Sequence, residues 1–464
     1  MPERPAPDLD AFAARMRAEG LPDVVVRTFA AQLDQLARGE TGLIPEAELE
    51  PVESLPDLDA LGDEAAAAGR EALPRTVLVK LNGGLGTSMG LERAKSLLPV
   101  KDGLTFLDVI ARQARDAGVP LVLMNSFATR DDSLALLAGY PELAGPIPLD
   151  FVQHKVPKVE RATLAPATAP GAPELEWNPP GHGDLYAALV TSGTLDALRT
   201  GGYRYAFVSN ADNLGAVLDE RLLGHLVANG LPFLMEVADR TAADRKGGHL
   251  ARLADGRLVL RESAQCPAED EDAFQDVERH RYFNTNSIWL DLDALAATLA
   301  ERDGVLGLPM IRNEKTVDPR DPGSTPVYQL ETAIGSAIQV FPGAGAIRVP
   351  RTRFAPVKTT SDLLAVRSDA YVLTADWRVV GSPARTLGTL VVDLDPRFYR
   401  LVDQLDARFP AGPPSLVACE RLRVRGDVRF GAGVVARGDV LVAHEGDGQA
   451  AVPDGASLAG ELAL

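Results

Sequence analysis

Apolar positions along this chain fall into three textures. Over residues 9–37 (LDAFAARMRAEGLPDVVVRTFAAQLDQLA) they recur at helical spacing, which predicts two helices broken near Gly20 and Pro22. Residues 38–72 follow as an acidic, proline-containing connector with one short alanine-rich helix, EAAAAGREAL. At Pro74 the pattern changes. The run TVLVKL (76–81) predicts a strand, a glycine-rich loop follows, and Phe106–Ala117 predicts a helix. Further strands are predicted at PLVLM (120–124), YAFVS (205–209) and PFLMEV (232–237), spaced widely enough for helices between them. Alternating strands and helices predict βαβ units, hence an α/β fold with a mixed, mainly parallel sheet. Residues 159–180, with prolines at 166, 170, 173, 179 and 180, read as a long loop or insertion inside that region.

The third texture lies at the end of the chain. Leu422, Val428, Val434 and Val440 recur every six residues, and RGDV appears at 425–428 and again at 437–440. After the insertion-like HEGDGQ the phase resumes at Val452, Leu458 and Leu464. A six-residue apolar period predicts a β-helix whose triangular coil turns one residue inward per face; ordinary alternating strands in a small sandwich are the alternative. The three textures divide the chain into an N-terminal helical segment (1–74), an α/β domain (75–385), and a linker with the C-terminal repeat (386–464).

Composition narrows the classes. The 464 residues are about three times a usual domain, in keeping with that division. No apolar run approaches the roughly 18 residues of a membrane span, and MPERPAPDLD has no export-type apolar segment, so no membrane partner is expected. Two cysteines, Cys266 and Cys419, cannot make a disulfide framework, and a cytoplasmic location is expected. A net charge of −18 argues against nucleic acid as a partner. It leaves phosphate ligands open, because these need only local positive charge. Of the 47 basic residues only eight are lysine (80, 95, 101, 155, 158, 246, 315 and 358), so a lysine here marks a candidate site for a compact ammonium.

The strand TVLVKL runs into Asn82-Gly83-Gly84-Leu85-Gly86-Thr87-Ser88-Met89-Gly90. Four glycines in eight residues let backbone N–H groups turn toward a phosphate and form an anion nest. A Walker A loop requires Gly-Lys-Ser/Thr, but Gly90 is followed by Leu91-Glu92. A dinucleotide fingerprint fails at Met89, and the next strand ends Met124-Asn125-Ser126 without a ribose-binding acid. Lys95, five residues past Gly90, is placed for a turn to aim it back at the loop. Asp212, in Asn210-Ala211-Asp212-Asn213, follows the strand YAFVS, where open α/β sheets bind ligands; an Asx turn is the plainer reading. Pro179-Pro180-Gly181-His182-Gly183-Asp184 displays one imidazole on a stiff-then-flexible turn, and the six histidines show no metal-ligand spacing.

The run KLNGGLGTSMG with Lys95-Ser96-Leu97 (80–97) resembles the nucleotide-binding loop of the eukaryotic-type UDP-glucose pyrophosphorylases, the UTP–glucose-1-phosphate uridylyltransferases. The resemblance continues in order through DGLTFLD (102–108), PLVLMNSF (120–127), PPGHGDLY (179–186), FVSNADNLGA (207–216), KGGHL (246–250), FNTNSIWL (283–290), QLETAIGSAI (329–338) and VPRTRFAPVKTTSDLL (349–364). It implies a Rossmann-like nucleotidyltransferase domain with a C-terminal left-handed β-helix, through which the chain would form a homo-oligomer. It also implies the reaction of UTP with glucose 1-phosphate, giving UDP-glucose and diphosphate by direct in-line displacement at the α-phosphorus, with Mg2+ as cofactor.

Residue by residue, the resemblance makes Lys95 and Lys358 the catalytic lysines flanking the reacting phosphates. It assigns Leu81, Asn82, Gly83, Gly84, Gln153, Gly181 and Asn210 to the nucleotide, with the Gln153 amide on uracil. His182, Gly248, Glu262, Asn284 and Asn286 fall to glucose 1-phosphate, and Asp212 to the metal. One stretch departs from the pattern. Where the family carries a Gly-Pro pair ahead of the loop lysine, this chain has Glu92-Arg93-Ala94. A UDP-sugar or UDP-N-acetylhexosamine pyrophosphorylase on the same scaffold is the nearest alternative; a nicotinamide-dependent oxidoreductase and a non-catalytic assembly protein are more remote.

Overall fold

The structure is a computed structural model that describes residues 7–241 and 244–464; residues 1–6, part of the stretch read above for an export segment, lie outside the described residues. Ten strands form the central sheet: β1 (Leu49–Pro51), β2 (Thr76–Asn82), β3 (Leu121–Asn125), β4 (Asp150–Val152), β5 (Tyr205–Asn210), β6 (Phe233–Asp239), β7 (His249–Leu253), β8 (Leu258–Arg261), β9 (Tyr282–Asp291) and β10 (Gly345–Arg348). The main path runs β1-β7-β9-β5-β2-β3-β4. Strands β5, β2, β3 and β4 are mutually parallel, whereas β9 runs antiparallel to β5, β6 and β7. The fold is therefore a mixed α/β fold with a mainly parallel sheet: three of the predicted strands, β2, β3 and β5, stand side by side in parallel, whereas the fourth, β6, pairs antiparallel with β9. Strand β2 is buried at six of its seven positions, as a run covered on both faces must be.

Helix α1 (Leu9–Ala18) and helix α2 (Asp23–Ala37) pack Phe12 against a tilted Phe29 ring and bury Met16 and Leu33 against Val156, Val159, Met310 and Leu330. Helix α3 (Asp63–Ala72) packs on the later helix α5 (Glu220–Ala228) backbone to backbone. A Cβ at Gly69 would lie 2.6 Å from the Glu220 carbonyl carbon, so only glycine fits there. Between them in sequence, helix α4 (Phe106–Ala117) starts on a Thr105/Asp108 capping box and ends at Gly118, matching the predicted span. Among the described residues no helix is long and apolar enough to cross a membrane.

After helix α6 (Thr360–Arg367) the chain enters a parallel region. Strands β11 (Val391–Leu394), β12 (Cys419–Arg425), β14 (Val435–Ala443) and β16 (Ser457–Ala463) form one parallel ladder; β13 (Val428–Phe430) and β15 (Ala450–Val452) form another. Leu422 stands beside Val440 and Ala436 beside Leu458. Of the six-residue apolar positions, Leu422, Val428, Val434, Val440, Val452 and Leu458 are buried, while Leu464 is 40% exposed. This core continues into Met89, Leu98 and Phe106, and Leu401 packs against Gly90, so the C-terminal region buttresses the glycine loop from outside. Cys266 and Cys419 are unpaired thiols.

Candidate active site

Four parallel strands end on the same side, and their last residues build a cleft. Asn82 closes β2; its side-chain amide donates to Asn125 Oδ1 (2.7 Å) at the end of β3 and to Ser133 Oγ (2.8 Å), which locks the two strand ends together. The glycine loop then turns through Gly86, whose φ of +67° suits glycine. It returns so that Lys95 N–H donates to the Gly84 carbonyl at 3.0 Å. That bond aims the Lys95 side chain at the cleft, where Nζ donates to Asp212 Oδ2 at 2.6 Å.

Asp212 leaves the end of β5, and its carbonyl accepts from Val357 N–H (3.2 Å). Asn213 behind it is a junction: Oδ1 accepts from Gly215 and Ala355 N–H, and Nδ2 donates to the Arg353 carbonyl. Gln153 follows β4, and its N–H donates to the Asn125 carbonyl at 2.8 Å. Its amide lies over Gly83, where an added Cβ would stand 2.9 Å from Oε1. Asp184 secures the next residue, accepting from the His154 backbone N–H (2.6 Å) and meeting its Nδ1 at 2.9 Å.

The half-buried His182 has a definite tautomer. Its Nδ1 accepts from Ile334 N–H at 3.0 Å, so the ring proton sits on Nε2. Burial holds its pKa down to about 4, and the ring is a neutral donor at physiological pH. Gly181 opens this turn at φ +79°, pressed against Thr332. The resulting cavity, about 230 Å³, is lined by nine of the residues singled out from sequence: Leu81, Asn82, Gly83, Gly84, Lys95, Gln153, His182, Asn210 and Asp212. Ser96, Met124 and Ala211 also line it. The sequence signal for these three is their place inside motifs already noted.

Gly181, Gly248, Glu262, Asn284, Asn286 and Lys358 stand outside that cavity. Glu262, Asn284 and Asn286 form a second group with Gly248. Asn284 N–H donates to the Gly248 carbonyl (3.1 Å), and its Nδ2 donates to Asn286 Oδ1 (2.8 Å). Asn286 sits at φ +56° in a bulge, where β6 passes directly from Ser287 to Asn284 as its partner. The bare Cα of Gly248 faces the Glu262 carboxyl group, whose Cδ would lie 2.6 Å from an added Cβ. Burial pushes the Glu262 pKa up, opposed by a hydrogen bond with Asn284 and the charge of Lys358. Lys358 is exposed on the turn before α6, with its N–H on Asp362 Oδ2 (2.9 Å). Lys95 and Lys358 thus occupy different positions, one in the cleft and one on its rim. The two groups meet at Ile334-Gly335: Ile334 holds His182, and an added Cβ at Gly335 would lie 3.1 Å from Asn284 Nδ2.

The departure ahead of the loop lysine has a simple resolution. Ala94 is buried, whereas Glu92 and Arg93 are exposed, so the Glu92 charge is solvated. For a cation, Asp212 offers one oxygen shared with Lys95 and one without a partner among the described residues. Such a lone carboxylate across a cleft from a glycine-rich loop fits a hard ion that keeps water and phosphate ligands. No cluster of three His, Cys, Asp or Glu side chains suited to a metal exists among the described residues.

A parallel-stranded α/β cleft lined by a glycine-rich loop, one carboxylate and a lysine points to an enzyme of the class that handles nucleotide phosphates. The family model for UTP–glucose-1-phosphate uridylyltransferase matches residues 26–437, and the chain belongs to that family. It is 42% identical over 404 residues to the UTP–glucose-1-phosphate uridylyltransferase of Solanum tuberosum, covering 85% of this chain and 82% of that one. It is 40% identical to the Saccharomyces cerevisiae enzyme of the same name, over 83% of this chain and 77% of that one. A UDP-glucose pyrophosphorylase variant from Leishmania major, solved in complex with UDP-glucose, superposes with a TM-score of 0.89 at 44% identity, covering 98% of each chain.

Proposed function

We infer that this chain is a UTP–glucose-1-phosphate uridylyltransferase, joining UTP and glucose 1-phosphate into UDP-glucose and diphosphate. The observation that carries the reading is the cleft itself: Lys95 and Asp212 face a glycine nest and a uracil-suited amide in a chain of this family. An oxygen of the sugar phosphate attacks the α-phosphorus of UTP, and the bond from that phosphorus to the departing diphosphate breaks. The attacking oxygen is already anionic at neutral pH, so the site needs charge and alignment rather than a strong base.

In this mechanism the N–H groups around Gly83 and Gly84 hold the triphosphate, and Leu81, Asn82, Asn210 and Gly181 shape its bed. The Gln153 amide matches the donor–acceptor edge of uracil. His182 donates its Nε2 proton to the sugar phosphate, and Glu262, Asn284 and Asn286, with Gly248, fix the hexose hydroxyls. Lys95 trades its Asp212 oxygen for a phosphate oxygen, and Lys358 reaches in from the rim. Asp212 would hold Mg2+, which would supply positive charge to offset that of the phosphates. The C-terminal ladders are read as a left-handed β-helix that mediates self-association, which light scattering on the full chain tests.

Purified protein with UTP, Mg2+ and a panel of glucose, galactose and N-acetylglucosamine 1-phosphates should release diphosphate fastest with glucose 1-phosphate. Chelation should abolish the release and added Mg2+ restore it. A preference for the N-acetyl sugar overturns the sugar assignment.

A further inference from the structure

Lys80 is a charged residue in the middle of β2, and its side chain is fully buried. Its Nζ donates to Ser209 Oγ at 2.6 Å and to the Ala216 carbonyl at 2.9 Å. Ser209 is its direct neighbour across the parallel ladder, one residue before β5 ends at Asn210, where the segment 210–215 begins. Ala216 is the first residue after that segment. One ammonium therefore grips both ends of the short excursion that carries Asn210 and Asp212. We propose that Lys80 is a positioning residue for the nucleotide half of the site, clamping the base of the 210–215 loop.

The surroundings argue that the amine is kept for its donors. The nearby carboxylate of Glu236 is fully occupied: Arg353 Nε reaches Oε2 at 2.7 Å, and Arg353 Nη2 and Trp289 Nε1 reach Oε1 at 2.8 and 2.9 Å. Lys80 has no carboxylate within hydrogen-bond distance among the described residues, and a buried ammonium so placed is costly. Burial and the Arg353 charge bring its pKa down to about 7, while Glu236 pulls the other way. The neutral amine still carries two N–H donors for two acceptors, so the clamp survives loss of the proton. An apolar residue would fill this space without that cost but could not hold the two chain ends. On the outer side the same loop is tied by Asn213 to residues 353–356, and Lys80 supplies the inner tie.

This inference rests on the assignment of the 210–215 loop to the nucleotide. The test is initial-rate kinetics of Lys80→Met in the full-length enzyme, varying each substrate in turn, with thermal melting alongside. The KM for UTP should rise on the order of 10- to 100-fold, the scale of a small misplacement of a binding group. The KM for glucose 1-phosphate should stay unchanged, because His182 and Glu262 are held by other elements. A folded variant with both KM values unchanged, or with both raised together, overturns the inference. Should Lys80→Met not fold, Ser209→Ala removes one end of the clamp and should raise the UTP KM in the same direction by less. An unchanged UTP KM in that variant also overturns it. Wild-type protein that makes no UDP-glucose sinks the underlying assignment instead.

Discussion

Gly248→Ala separates the sugar half of the site from the rest of the protein. Gly248 does not occupy the left-handed region, so alanine is tolerated by the backbone. The obstacle is the Glu262 carboxyl group, whose Cδ would lie 2.6 Å from the new methyl and must retreat by about 0.8 Å to reach ordinary contact at 3.4 Å. The far end of a glutamate side chain can make that move, so the fold should lose under about 1 kcal/mol. Function has less latitude. A shift of that size at the group assigned to a sugar hydroxyl should cost on the order of 10- to 100-fold, or about 1.4 to 2.7 kcal/mol.

The expected result is a glucose-1-phosphate KM raised by that factor, with the UTP KM and melting temperature near wild type. The displaced carboxyl group also leaves Asn284, whose hydrogen bond opposes the upward push of burial on its pKa. The acid limb of activity should therefore move to higher pH. Gly84→Ala is the matched control: nothing in the protein lies within 4 Å of its added methyl, so melting should not change. That methyl would stand among the residues lining the cleft, so any kinetic cost should fall on UTP. A wild-type glucose-1-phosphate KM in Gly248→Ala, or a raised UTP KM in its place, would refute the reasoning.

Lys95→Met should lower kcat/KM by on the order of 100- to 1,000-fold in a diphosphate-release assay, as expected for loss of a charged donor at a developing anion. Lys95→Arg should not restore it, because the Lys95 ammonium meets one Asp212 oxygen as a compact point donor, which a longer planar guanidinium does not reproduce. Arg353→Met leaves the fully buried Glu236 carboxylate without its cation, and urea unfolding should show a loss of about 3 to 5 kcal/mol. The double variant with Glu236→Leu should recover much of that loss. His182 has a folded pKa of about 4 against an ordinary 6.5, so the folded state binds fewer protons between those values. Its stabilising contribution, roughly 3 kcal/mol at most, is complete above pH 6.5 and lost as the pH falls toward 4. The difference between wild-type and His182→Asn stability curves across that window measures it.

What the sequence disclosed follows from how local each feature is. Strand β2 is apolar without alternation because both faces are covered, and the last residues of parallel strands are where chemistry gathers, so Asn82 and Asp212 stood out. The six-residue phase was readable because each buried position repeats the same local demand. Strand β9 was not readable as one element. Its alternation breaks where Thr285 and Asn286 bulge out opposite the step from Glu236 to Val237. The Glu236–Arg353 pair was equally hidden, since a charge inside an apolar run announces that a partner exists without naming it. The rim position of Lys358 depends on the turn before α6, which sequence spacing does not reveal.

The division of the sheet explains why the kinetic effects should separate. Apart from Gly181, the residues assigned to the nucleotide sit at or just past the ends of the parallel strands β2, β4 and β5, which Asn82, Asn125 and Lys80 help tie together. Of the residues assigned to glucose 1-phosphate, Gly248, Glu262, Asn284 and Asn286 sit on the antiparallel half, where the β9 bulge, Gly248 and Glu262 brace each other, while His182 lines the cleft of the parallel half. Between the halves stand the turn at Ile334-Gly335, which touches both His182 and Asn284, and the field between Lys358 and Glu262. A perturbation deep in either half reaches its own substrate first. Only changes at the junction, such as a bulkier residue at Gly335, should raise both KM values together, because there one displaced backbone moves the imidazole and the amide at once.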